Sequence, residues 1–177
     1  RNHTIEPLFQ SIPNIKYSDY ASIENIPNNK TLVWFYNLSF SQNIKTLTDE
    51  LKFYRYNIDY IIKNKEKSTP FIIFSLENHL NLIDSNFYLF KIKIKKFNKY
   101  IYNLSKTDLS IKFIDLNEFT NNYSYNDLID KRYYYYGKVY YNPKIEKSFS
   151  NYFLRKINSI NQKRKKCLVL DLDNTLW

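Results

Sequence analysis

Continuous apolar runs alternate along the chain with segments in which apolar residues recur every three or four positions. The runs cover Leu32 to Tyr36, Phe71 to Phe74 and Ile111 to Ile114. Their unbroken hydrophobicity and their aromatic and β-branched residues predict strands that are covered on both faces. A fourth run, Cys167 to Leu170, predicts another strand near the end of the sequence.

The segments between and after these runs have the apolar spacing of amphipathic helices. The three helical patterns begin near Leu47, Phe90 and Phe149. The predicted N-caps are Thr46 or Thr48 for the first helix and Ser148 for the third. Because strands and helices alternate, we predict a parallel, doubly wound α/β sheet flanked by helices.

Composition narrows the class of protein. The 177 residues suit one domain, and they contain neither an apolar run of membrane-spanning length nor a secretory signal pattern. We therefore expect no membrane span and, since Cys167 is the one cysteine, a cytoplasmic location. The one glycine, Gly137, excludes glycine-rich phosphate loops. The sequence has no methionine, so we expect its start to be missing.

The net charge of +10 makes nucleic acid a possible partner. Two readings remain open for the lysines that alternate with apolar residues between positions 91 and 101: a nucleic-acid surface or the solvated face of a helix. The tyrosines between Tyr123 and Tyr141 are open to similar alternatives, a platform for stacked bases or a partly buried loop or docking surface. We favour the second reading of each and expect no nucleic-acid partner.

The most specific motif follows the fourth apolar run. Asp171 and Asp173 are spaced by one residue, and Thr175 follows two positions later. Alternate residues share one face of a strand, so both carboxylates can enter one pocket at the strand's carboxyl end. One carboxylate can attack a phosphoryl group while the other moves a proton, and Mg²⁺ can offset the repulsion between like charges. The alternative is a turn capped by aspartates.

The segment 171–175 resembles the first motif of the haloacid dehalogenase superfamily of aspartate-dependent phosphatases. The longer segment 166–177 resembles the entry to the catalytic domain of FkbH-like proteins, which have the subfamily IIIC type of that domain. This resemblance implies an N-terminal SGNH-like (flavodoxin-like) α/β domain over residues 1–162, with its first strand before Arg1. A linker and the first strand of a truncated catalytic domain would cover residues 163–177.

The resemblance also implies roles for the terminal residues. Asp171 would be the nucleophile and a Mg²⁺ ligand. Asp173 would be the acid/base and would bind the metal through its backbone carbonyl, and Thr175 would support the loop. The implied substrate is a phosphorylated glycerate, and the implied partner is an acyl carrier protein that receives a glyceryl thioester. Since the later motifs of the superfamily are absent from these 177 residues, we expect them to be inactive as a phosphatase on their own.

Weaker resemblances connect the rest of the chain to the same family. Residues 2–8 resemble the segment after the family's first strand, and residues 130–133 resemble an Asp-x-Arg-aromatic segment near the end of the domain. The motifs of an SGNH esterase are missing, so an independent esterase stays a weaker alternative. The residues that could line a polar cleft at the strand ends, where Arg132 could bind a carboxylate or phosphate, are Asn2, His3, Asn37, Asp130 and Arg132. We favour a structural role for each of them.

Overall fold

The computed structural model describes residues 5–18, 23, 26–28, 30–38, 43–77, 87–137 and 139–161. Within these ranges, three strands form one parallel sheet: β1 (Leu32–Trp34), β2 (Phe71–Phe74) and β3 (Ile111–Ile114). Strands β2 and β3 have the predicted limits, whereas β1 ends before Tyr36 because its pairing with β2 stops at Trp34. The predicted strand Cys167 to Leu170 lies outside the described residues.

Helices connect and flank the strands, and two of them have 21 residues each. Short 3₁₀ turns occur at Glu6–Phe9 and Pro143–Ile145. The helices are α1 (Ile44–Asn64), α2 (Phe87–Thr107), α3 (Asn117–Thr120), α4 (Tyr125–Leu128), α5 (Lys131–Gly137) and α6 (Glu146–Asn161). In the part of the chain that the structure describes, none of these helices has the length and hydrophobicity needed to cross a bilayer.

The predicted helix caps are wrong. Helix α1 is capped by Asn43, whose side-chain oxygen accepts a 2.9 Å hydrogen bond from the backbone N–H of Thr46. Thr48 lies inside the helix, where its hydroxyl donates to the carbonyl of Ile44. Helix α6 follows directly from the 3₁₀ turn, so Ser148 also lies inside a helix.

The sheet is packed on both faces. Alternate side chains of a strand point to opposite faces, so Ile72 and Phe74 pack with the first 3₁₀ turn and α6, whereas Phe71 and Ile73 pack with α1 and α2. This arrangement explains why β2 is apolar at every position. The predicted class, a parallel α/β sheet flanked by helices, is confirmed.

The tyrosine-rich stretch is divided between core and surface. It forms α4 and α5 rather than a loop. Tyr140 and Tyr141 are buried in the core on the α6 side of the sheet, whereas Tyr135 and Tyr136 are 70% and 93% exposed. Only part of the stretch therefore contributes to packing.

Candidate functional site

The residues with the strongest predicted chemistry lie outside the described ranges. These are Asp171, Asp173 and Thr175 of the terminal motif and Asn2 and His3 of the predicted cleft. Their positions remain predictions. Among the described residues, no group of three or more His, Cys, Asp or Glu side chains is arranged to hold a metal ion.

Two of the predicted cleft residues bind each other. The guanidinium of Arg132 forms a two-pronged ion pair with Asp130, with Nε 3.0 Å from Oδ1 and Nη2 2.7 Å from Oδ2. The backbone N–H of Arg132 also donates to Oδ1. These hydrogen bonds hold the pKa of Asp130 below its usual value. The planar fork of Arg132 thus binds a carboxylate of the chain itself, and its place in a ligand-binding cleft stays a prediction.

Asn37 has a different environment just beyond the end of β1. It is half-buried, and its carbonyl lies 3.4 Å from the Tyr54 hydroxyl of α1. That hydroxyl also donates to the Glu50 carboxylate. Burial raises the pKa of Glu50, and burial together with the charge of Glu50 raises the pKa of Tyr54. A partly buried acid therefore lies near the carboxyl end of β1.

A denser polar cluster lies at the carboxyl ends of β2 and β3. We call Ser75, Glu77, Asp115 and Thr120 the carboxyl-edge cluster. The Ser75 hydroxyl lies 3.3 Å from Oε1 of Glu77 and 3.2 Å from Oδ1 of Asp115. On the other side of the Glu77 carboxyl, the Thr120 hydroxyl donates to Oε2 at 3.1 Å. Each oxygen of Glu77 thus faces a hydroxyl group.

Glu77 has the most perturbed carboxyl group of this edge. It is 8% exposed, and burial raises its pKa from 4.5 to about 7. The hydrogen bond from Thr120 lowers the pKa, the charge of Asp115 raises it, and the hydrogen bond from Ser75 lowers it, so burial outweighs the hydrogen bonds. The carboxyl group can therefore exchange a proton near neutral pH.

Helix α2 fixes the backbone that carries Glu77. The side-chain carbonyl of Asn98 accepts from the backbone N–H of Leu76 at 2.9 Å. Its amide group donates to the Leu76 carbonyl at 2.8 Å. Because both backbone groups of the preceding residue are held by one side chain, the direction of Glu77 is set by α2 as well as by β2.

Tyr140 connects the two acidic regions of this edge electrostatically. Its side chain is 1% exposed, and the charges of both Glu77 and Glu50 contribute to raising its pKa, after burial. Tyr140 thus lies in a buried environment that the charges of Glu77 and Glu50 both influence. Such an environment can hold a proton and orient hydroxyl groups.

A simple signal could have revealed the carboxyl-edge cluster. Ser75 and Glu77 follow the predicted strand β2, and Asp115 follows β3 directly. In open α/β sheets, ligands bind at the carboxyl ends of strands. The same rule that places Asp171 at the end of a strand therefore predicts functional side chains after β2 and β3.

Comparison with known proteins adds one relationship. No family model matches the sequence, and no curated protein matches it. The chain is similar in structure to the N-terminal part of the protein BF1531 from Bacteroides fragilis, which contains a phosphatase domain and was solved complexed with Mg. The two share 23% sequence identity with a TM-score of 0.52, and the match covers 73% of this chain. The match spans 34% of that structure's chain, so the likeness shows a shared α/β fold over about a third of it.

Proposed function

We propose that this chain supplies the N-terminal α/β domain and the first catalytic motif of a Mg²⁺-dependent phosphatase or phosphotransferase of the haloacid dehalogenase type. The observation that carries the proposal is the pair Asp171 and Asp173 directly after the apolar run Cys167 to Leu170. The structural likeness to a protein part that contains a phosphatase domain supports it.

The proposed reaction uses the two carboxylates for different steps. An oxygen of Asp171 forms a bond to the phosphorus atom of the substrate while the bond from phosphorus to the leaving oxygen breaks. Asp173 gives its proton to the leaving oxygen and then takes a proton from the water that hydrolyses the aspartyl phosphate. The enzyme is thereby restored, and inorganic phosphate is released.

The donor set of the motif suits magnesium. Carboxylate and carbonyl oxygens are the ligands that Mg²⁺ prefers, and Asp171 and Asp173 would supply one of each kind. When bound, the ion offsets the negative charge that would otherwise repel the phosphate from the nucleophile. Mg²⁺ in the neighbouring phosphatase structure supports this assignment.

The finer form of the proposal concerns substrate and partner. The resemblance to FkbH-like proteins favours a phosphorylated glycerate as substrate and an acyl carrier protein as the partner that receives the glyceryl group as a thioester. This transfer needs a glycerate whose carboxyl group is phosphorylated: the carrier thiol loses its proton and bonds to the carbonyl carbon, the bond from that carbon to the phosphate oxygen breaks, and the phosphate leaves. The reaction would take place in the cytoplasm.

The test uses the full gene product rather than residues 1–177. Phosphate release from phosphorylated glycerate is measured with and without Mg²⁺, and mass spectrometry follows an added acyl carrier protein for the mass of a glyceryl group. We expect Mg²⁺-dependent phosphate release that Asp171→Asn abolishes. Phosphate release without a carrier adduct would support the phosphatase and contradict the glyceryl transfer.

A matched control separates loss of chemistry from loss of folding. Asp127 is an exposed aspartate on α4, away from the motif in sequence. Asp127→Asn removes the same charge and should keep the wild-type rate. If Asp171→Asn is folded and equally active, the aspartates are turn residues and the proposed reaction is wrong.

A further inference from the structure

Helix α2 carries an unusual concentration of one charge. Its 21 residues include six lysines and no aspartate or glutamate. Within the described ranges, no ion pair joins any of these lysines to an acidic side chain. Lysines four residues apart, such as Lys91 and Lys95, repel each other and destabilise an isolated helix. The described residues thus supply no acidic partner that offsets this charge.

Four of the lysines lie in line. Lys91, Lys95, Lys99 and Lys106 are separated by four, four and seven residues, so they occupy one face of the helix. All four are exposed. We call this set the lysine stripe, which extends about 22 Å along the helix axis. Its length and spacing match those of acidic side chains repeated along another helix.

A shallow, open groove of about 350 Å³ lies beside the stripe. All of its lining residues belong to α2, and Lys96 and Lys99 form part of its rim. Its apolar lining comes from Tyr100 and Leu104, which are half-buried and pack on the core between the sheet, α1 and α2. The surface thus combines positive charges with an apolar strip along one helix face, which is complementary to an acidic amphipathic helix.

We propose that the lysine stripe and this groove form a docking surface for an acidic amphipathic helix of a partner protein. Carboxylates at every fourth position of the partner would face the lysines, and its apolar side chains would lie on Leu104 and beside the Tyr100 ring, whose face Arg55 covers. Charge complementarity of this kind accelerates association and fixes the orientation of the partner. The proposal does not depend on the phosphoryl transfer proposed above.

The aromatic rings of this surface favour a protein partner over a nucleic acid. The guanidinium of Arg55 lies over the Tyr100 ring at 4.5 Å, and Nζ of Lys106 lies over the Tyr102 ring at 4.9 Å. Base stacking would need those ring faces. Helix α2 also contains no arginine, the side chain best suited to two-pronged phosphate binding.

The test measures binding of a fluorescent helical peptide to the 177-residue chain. The peptide carries glutamate at every fourth position and leucine beside it; a second peptide has glutamine in place of glutamate, and a single-stranded DNA serves as a third probe. Fluorescence anisotropy is recorded at low and high salt. We expect binding of the glutamate peptide that weakens with salt, with the glutamine peptide at least about tenfold weaker.

Charge-matched variants locate the surface. Changing Lys91, Lys95 and Lys99 to Glu should weaken peptide binding at least about tenfold. Changing the exposed Lys67, Lys144 and Lys147 to Glu alters net charge equally and should leave binding nearly unchanged. Circular dichroism checks folding, and a triple change to Gln replaces the first variant if that variant unfolds. Equal losses in both sets, no peptide binding, or tighter binding of DNA would overturn the proposal.

Discussion

Oε2 of Glu77 accepts a hydrogen bond from the hydroxyl of Thr120 at 3.1 Å, and both residues are buried. The bond connects the loop after β2 to helix α3, which follows β3. It favours the ionised carboxylate, yet burial raises the pKa of Glu77 to about 7. The site therefore keeps a proton that an exposed glutamate would lose, and this difference links protonation to folding.

The first prediction concerns stability against pH. In the unfolded chain Glu77 ionises near 4.5, whereas in the folded chain it ionises near 7. Because the folded chain binds this proton more tightly than the unfolded chain, protonated Glu77 stabilises the fold fully below pH 4.5. That stabilisation is lost as the pH rises through about 7. The change amounts to about 3 kcal/mol. Urea unfolding of wild type and Glu77→Gln from pH 4 to 8 should show the decrease in wild type only.

Glu66→Gln is the matched control, because Glu66 is exposed. It should reproduce the pH dependence of wild type. If Glu77→Gln and wild type lose stability in parallel over this range, Glu77 is not the group that titrates.

The second prediction concerns the side chain that holds Leu76. Asn98→Ala removes both of its hydrogen bonds to the backbone and should destabilise the fold by about 1–3 kcal/mol. Asn98→Asp keeps the acceptor for the Leu76 N–H and loses the donor. Its loss of stability should therefore come from the Leu76 carbonyl, which no longer receives a hydrogen bond. Asn103→Ala, an exposed position on the same helix, should change stability little. Chemical denaturation measures all three, and an equal loss at Asn103 would contradict the assigned role.

The accuracy of the sequence prediction followed the strength of the local signal. The limits of β2, Phe71–Phe74, follow from the sequence, because four consecutive apolar residues between helical patterns are compatible with few structures other than a buried strand. The sequence does not single out the cap of α1, because Asn43, Thr46 and Thr48 are all good capping residues. The choice among them depends on backbone angles, and Asn43 is the one with extended geometry.

The candidate site was harder to predict than the sheet. Glu77 and Thr120 are 43 residues apart and meet only when β2 and β3 pair. The perturbed pKa comes from burial by distant elements, which the local sequence does not encode. The ion pair between Arg132 and Asp130 is a local interaction that the sequence suggests, since only one residue separates the two.

The third prediction tests the corrected cap. Asn43→Ala should cost about 1 kcal/mol of stability, because the first turn of α1 loses its acceptor for the Thr46 N–H. Asn43→Asp or Asn43→Ser should restore most of it. Thr48→Ala, within the helix, should cost less than Asn43→Ala. Thermal and urea unfolding decide between the positions, and a larger loss at Thr48 would restore the sequence-based assignment.

The fourth prediction concerns the aromatic core on the α6 face of the sheet. The ring of Phe149 contacts those of Phe9, Phe35 and Phe119 at centroid distances of 5.3–5.6 Å. Phe149→Ala should therefore cost about 3–5 kcal/mol. Phe53→Ala on α1, where the ring is 53% exposed, should cost far less. Similar losses at both positions in urea unfolding would be incompatible with this packing.

The last prediction distinguishes the proposed nucleophile from the proposed acid/base in the full gene product. Asp171→Asn should abolish phosphate release, because the covalent route needs that oxygen. Asp173→Asn should retain a residual rate about a hundredfold to ten-thousandfold below wild type, since general acid/base catalysis contributes a factor of this size. With p-nitrophenyl phosphate, whose leaving group needs no proton, Asp173→Asn should regain a fast initial burst of p-nitrophenol while hydrolysis of the aspartyl phosphate stays slow, and removal of Mg²⁺ by EDTA should lower the wild-type rate. Identical rates for the two variants on both substrates would show that the carboxylates do not have the separate roles proposed, whereas the rescue of Asp173→Asn alone would assign the proton transfer to Asp173.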